Sequence, residues 1–142
     1  MSQTQIELEQ DFDVPPSRVW DAISDHEGMS RWLDAKISVV QKGDETGVGT
    51  VRRVKLPGGL ALDEQVVYAD APRRLVYRIV RGAPFRFHRG EMIVEPRGTQ
   101  GARLTWRILL VSGVPGLAML GGLALGPALR GGLAKLAKQL EG

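Results

Sequence analysis

This chain of 142 residues contains no cysteine. That absence removes disulfides, thiolate catalysis, iron–sulfur clusters and cysteine-ligated zinc together. It fits a reducing compartment, and the expected location is cytoplasmic. Histidine is nearly as scarce, with His26 and His88 making two. His26 opens "HEGMSRWL", which lacks the second histidine of the HExxH metal pattern, so neither a metal nor a cofactor is expected. Aromatic residues are only 6% of the chain. The most apolar stretch, Val114 to Leu129, is 16 residues long and carries two prolines and four glycines. A bilayer span needs about 20 apolar residues, so the reading is a buried helix face, with a peripheral membrane contact as the alternative. The opening "MSQTQIELEQDF" has no basic patch followed by an apolar run, and no signal peptide is read there.

Charge is present but unevenly divided. The net charge is +3, with 4 basic and 10 acidic side chains in residues 1–45 and 15 and 6 in the remainder. The arginines are scattered along strand-like segments, without a helix-turn-helix, zinc finger or GXXG loop. Nucleic acid is therefore not an expected partner. The length and the 43% apolar content suit one domain, residues 1–142, able to bury its own core.

The apolar pattern orders the chain. "QTQIELEQDF" alternates with period two, with an apparent break in phase at Gln10, and predicts a strand. Pro15 and Pro16 stop it and open a helix whose Val19, Trp20 and Ile23 share a face. "HEGMSRWL" reads as a second short helix or turn, in which His26 caps or pairs locally. Strands follow in "AKISVVQKG", "VGTVRRVKLPGG", "LALDEQVVYAD", "RRLVYRIVRG", "FRFHRGEMIVEPRG" and "GARLTWRILLVSG". Their short links favour antiparallel neighbours. From Pro115 to Glu141 the spacing is helical, with Leu117, Leu120, Ala124, Ala128, Leu129, Leu133, Leu136 and Leu140 as the expected inner stripe and a kink expected near Pro127. The fold class is therefore α+β: a seven-stranded curved antiparallel sheet around a long C-terminal helix, with two short helices after the first strand.

The order of "DVPPSRVWDAISDHEGMSRWL", the paired "VVYADAPRRLVYRI", "EPRGTQGARLTWRI" and the long last helix resembles the START-like superfamily, the polyketide cyclase/dehydrase and lipid-transport group. The resemblance covers nearly the whole chain. It implies a helix-grip fold with a deep apolar cavity, and members that range from aromatic polyketide cyclases to lipid carriers and hormone receptors. It speaks for fold more than for function.

Strand periodicity then proposes faces. Leu104, Trp106, Ile108 and Leu110 share one face of the last strand. Leu62, Glu64, Val66 and Tyr68 share another, as do Leu75, Tyr77 and Ile79. His88 and Met92 align unless a bulge at Gly90 changes the phase. The expected ligand-binding set is Trp32, Arg52, Leu62, Glu64, Tyr68, Tyr77, His88, Met92, Trp106, Leu120 and Ala124. Three roles stay open for Glu64: an internal ion pair with Arg52 or His88, a cavity mouth, or ligand and proton transfer. His88 is a catalytic group, a ligand hydrogen bond, or a core or surface residue.

Three functions are consistent with these residues. One is binding or carriage of an apolar lipid- or polyketide-like molecule. The second is a cyclase or dehydratase using His88 and Glu64 in acid/base chemistry. The third is a protein-interaction or membrane-adjacent module, whose cue is an apolar Gly116–Ala128 face that is only partly covered. A homodimer is a further partner to be tested.

Overall fold

The computed structural model describes residues 2–142. Strand β1 (Ser2–Phe12) is followed by helix α1 (Pro16–Ser24) and a five-residue 3-10 turn (Glu27–Arg31). Six strands come next: β2 (Lys36–Gln41), β3 (Val51–Lys55), β4 (Ala61–Asp70), β5 (Arg74–Arg81), β6 (Phe87–Arg97) and β7 (Gly101–Ser112). Helix α2 (Leu117–Glu141) completes the chain. The strands form one antiparallel sheet in the order β1-β7-β6-β5-β4-β3-β2. Each strand from β2 to β6 neighbours its successor because the links are short. Only the crossing from β1 to β2 spans the sheet, and α1 with the 3-10 turn makes it. This is the helix-grip arrangement.

The inner face follows the alternation. Leu104, Trp106, Ile108 and Leu110 are all buried, as are Leu8, Phe12, Met92 and Val94. β1 pairs with β7 without a register break from Ser2 to Phe12, so the phase runs unbroken through Gln10. On the outer face arginines meet carboxylates across strands: Arg103 Nε donates to Asp11 at 2.8 Å and Arg107 Nε to Glu7 at 2.7 Å. Those exposed pairs each add little stability, but they give many of the scattered arginines a local partner.

Helix α2 keeps the C-terminal half of the expected stripe inward, at Leu129, Leu133, Leu136 and Leu140, and departs from it in the N-terminal half. Ala118, Leu129, Gly132, Leu133, Leu136 and Ala137 are buried, and Leu125 and Leu140 pack against the core. Leu120, Ala124 and Ala128 face solvent. Both stripes obey helical spacing, so periodicity alone did not choose between them. Small residues made the choice. A Cβ on Gly121 would meet Phe85 at 3.0 Å, one on Gly122 would meet Thr4 at 2.8 Å, and one on Gly132 would meet Leu33 at 2.7 Å and the Trp32 carbonyl at 2.9 Å. Gly121, Gly122 and Gly132 lie where the helix comes closest to the rest of the fold, while Gly126 and Gly131 meet nothing within 4 Å. The helix is continuous through Pro127.

Candidate functional site

A chain of polar side chains crosses the inner layer, with Arg52 at its centre. Arg52 is only 2% exposed, and a guanidinium at that depth demands partners. β3 and β4 pair Arg52 directly with Glu64, and Arg52 Nε donates to Glu64 Oε1 at 2.9 Å. Its second nitrogen lies 3.0 Å from both His26 Nδ1 and Met29 Sδ, which come from the turn after α1. The guanidinium carbon also stands 4.6 Å from the centre of the Tyr77 ring, a cation–π distance. Tyr77 continues the chain, because its hydroxyl accepts a hydrogen bond from Trp106 Nε1 at 3.0 Å. Its ring lies 5.5 Å from that of His88. Trp106 meets Trp32 edge-on, with centroids 6.2 Å apart. Among the described residues no buried side-chain nitrogen or oxygen lacks a partner.

Gly90 makes this arrangement fit. It sits opposite Tyr77 in the β5–β6 ladder, and a Cβ there would lie within 2.6 Å of three Tyr77 atoms. The missing side chain is the space that the phenol ring occupies. β6 pairs with β7 in one register from Phe87 to Arg97, so Gly90 carries no bulge and His88 shares its face with Met92.

Both histidines are held neutral, and in the same tautomer. Arg52 can only donate, so His26 Nδ1 accepts and the ring proton sits on Nε2. Burial, and then the positive Arg52, bring the His26 pKa down to about 4, partly offset by Asp25. His88 Nδ1 accepts the Ile79 backbone N–H at 3.1 Å. Its pKa is lowered by burial, an effect that Glu64 opposes and Arg52 reinforces. At neutral pH each imidazole is therefore a hydrogen-bond donor through Nε2 and has no free lone pair to act as a base. The buried Tyr77 phenol is pushed well above its ordinary pKa by desolvation, and then by Glu64. It stays protonated.

A cleft of about 580 Å³ opens beside this chain, between α1, the β2–β3 loop and the β4–β5 turn. Trp20, Val66 and Leu75 give it an apolar side, and Ser24, His26 and Thr50 a polar one. His26 thus belongs both to the cleft and to the Arg52 cluster. A second cleft, about 470 Å³, lies by Ser30, Leu33 and Pro57. Neither is lined by Trp32, Tyr77, His88, Met92 or Trp106, which are all buried. Among the described residues no cluster of three or more histidine and carboxylate side chains is arranged to hold a metal.

These positions refine the expected set. Trp32, Arg52, Glu64, Tyr77, His88, Met92 and Trp106 come together, and Leu62 is half-buried on the same face of β4. Tyr68 does not join them. The β4–β5 register shifts between Val66 and Tyr68, Val67 is the extra residue, and Tyr68 ends up 44% exposed with the Arg74 guanidinium 5.1 Å from its ring centre. Leu120 and Ala124 are likewise outside, on the solvent side of α2. His26, expected to cap or pair locally, stands at the N-cap position of the 3-10 turn without a side-chain cap hydrogen bond, and its ring contacts a residue 26 positions away. Its only local signal was scarcity, as one of two histidines.

The sequence from 3 to 141 matches the family model described as polyketide cyclase/dehydrase and lipid transport. The chain belongs to that family. Its START-like fold recurs in solved structures. A START superfamily protein from Mycobacterium smegmatis superposes with a TM-score of 0.82 at 12% identity, covering 96% of this chain and 97% of that one. A solution structure from Thermobifida fusca gives 0.80 at 21% identity, covering 96% and 92%. The Zhui aromatase/cyclase from Streptomyces gives 0.75 at 15% identity, covering 98% and 92%. No curated protein matches in sequence. At these identities the likeness to the solved structures carries the family's fold and not its chemistry.

Proposed function

We propose that this family member binds a small, largely apolar molecule bearing a carbonyl or phenol oxygen, received in the cleft beside α1 and held by His26. The observation that carries this is the double position of His26: it lines the cleft and rests against the buried Arg52 at 3.0 Å. A donor whose tautomer and orientation are fixed by a buried cation is prepared for an oxygen acceptor. Glu64 holds Arg52 from the other side. Such a molecule would sit at the end of the chain of contacts that runs to Tyr77, Trp106 and His88. The reading includes the cytoplasmic location expected of a cysteine-free chain.

A cyclase or dehydratase is the alternative, with roles for His88 and Glu64 different from those expected from the sequence. With Nδ1 taken by Ile79, His88 is suited to polarise an oxygen through its Nε2 proton and not to remove a proton from carbon. Proton abstraction would fall to the Glu64 oxygen that Arg52 does not hold.

The test is binding of aromatic ketones and fatty acids to the intact chain, followed by Trp fluorescence, since Trp20 lines the cleft. His26→Ala should weaken ketone binding by about five- to tenfold, the worth of one net hydrogen bond, with circular dichroism unchanged. Equal affinity in the variant would refute the assignment. Native mass spectrometry of protein taken from its own cell extract would identify any molecule that travels with it.

A further inference from the structure

The outward stripe of α2 has two halves of different chemistry. Met119, Leu120 and Leu123 are 55%, 61% and 67% exposed, and Val114 in the preceding turn is 56% exposed. Steps of three and four residues lead from Leu120 and Leu123 through Pro127 to Arg130, Ala134 and Lys138, with Lys135 beside them. These positions lie on one side of the helix, and all of them are exposed. The first half of the stripe is apolar and the second is cationic. α2 has no acidic residue before Glu141. Arg130, Lys135 and Lys138 form no ion pair with a described residue; Lys36, Lys42, Lys55 and Arg78 form none either, but the three on α2 continue the line of its exposed apolar side chains. The helix-end position of Lys138 suits the helix dipole, but Arg130 is mid-helix and has no such explanation.

We propose that this stripe docks on an anionic lipid surface, with the Val114–Leu123 side chains entering the acyl boundary and Arg130, Lys135 and Lys138 on the phosphates. Charge complementarity selects the occupant. Three unpaired cations aligned with an apolar ridge match a surface that is apolar beneath and negative above. A second copy pairing through the same stripe would offer these three cations one carboxylate, Glu141 at its end. Long exposed aliphatic side chains on a helix suit a fluid interface. The helix is apolar enough in one 18-residue window, at a mean hydropathy of 1.3, to pass for a membrane span. Its inner stripe nevertheless packs on the core, next to Ile6, Leu110 and Phe85. It is therefore suited to lie on a bilayer and not to cross one.

The test is co-sedimentation of the whole chain with vesicles of phosphatidylcholine alone and of phosphatidylcholine and phosphatidylglycerol in equal amounts. Binding should occur to the anionic vesicles and weaken with added salt. Arg130→Gln, Lys135→Gln and Lys138→Gln together should lower it by about two orders of magnitude at low salt. Leu120→Glu with Leu123→Glu should abolish it with circular dichroism unchanged, since both positions are on the solvent side. The proposal is overturned if the wild type binds neither vesicle, if it binds both equally, or if either variant binds as well as the wild type. Self-association in sedimentation equilibrium that Leu120→Glu with Leu123→Glu abolishes, without vesicle binding, would instead assign the stripe to a second copy.

Discussion

At the scale of single residues, the site depends on one absent side chain and one displaced proton. Gly90 has ordinary backbone geometry, and its role is to leave room for the Tyr77 ring. Gly90→Ala should cost about 1–3 kcal/mol in a urea titration, as an overpacked core does. Adding Tyr77→Leu should recover part of that loss, because the methyl then has a place to go; strict additivity of the two changes would show that the ring is not what Gly90 accommodates. His26 gives a pH dependence with a definite sign. Its pKa is about 4 in the folded chain and near the ordinary 6.5 in the unfolded one. Between those values the unfolded state binds more protons, so stability rises with pH. The contribution is fully present above pH 6.5 and is lost as pH falls through about 4, with an upper bound of about 3 kcal/mol for this one group. His88 acts in the same direction. Thermal melting from pH 7 down to 4 should therefore fall less steeply in His26→Gln than in the wild type. Parallel curves would mean that burial and Arg52 do not hold His26 neutral.

At the scale of elements, two adjacent glycines in α2 should respond oppositely to the same change. Gly131 meets nothing within 4 Å on the exposed side, while Gly132 lies under Leu33 and the Trp32 carbonyl. Gly131→Ala should stabilise the protein by up to about 1 kcal/mol through helix propensity. Gly132→Ala should destabilise it, since a backbone carbonyl at 2.9 Å gives way poorly. Shifts of the urea midpoint of opposite sign would locate the inner edge of the helix, and stabilisation by both would move that edge elsewhere. β4 illustrates the same kind of decision within a strand. Leu62, Glu64, Val66 and Tyr68 alternate perfectly in sequence, yet one unpaired residue, Val67, sends Tyr68 to the other face. A bulge is a fit between two strands, and neither strand contains it alone.

At the scale of the whole molecule, the first strand and the strand before the last helix are neighbours, joined from Ser2↔Ser112 to Phe12↔Ala102. The core residues form a single cluster that draws on both ends of the chain. Urea unfolding followed by Trp fluorescence and by circular dichroism should give one coincident transition, as a single domain does. Two separated midpoints would divide residues 1–142 into more than one unit.

The element order, the inner face of β7 and the directions of Arg52, Glu64, Tyr77 and His88 follow from local alternation, because each strand must hide one face and the period of two names it. The register slip at Val67, the close seating of Gly121, Gly122 and Gly132 in α2, the use of Gly90 as space for a ring, and the arrival of His26 at Arg52 belong to the tertiary structure alone. Each depends on the distance between groups far apart in the chain, and no local pattern encodes how closely two surfaces will meet.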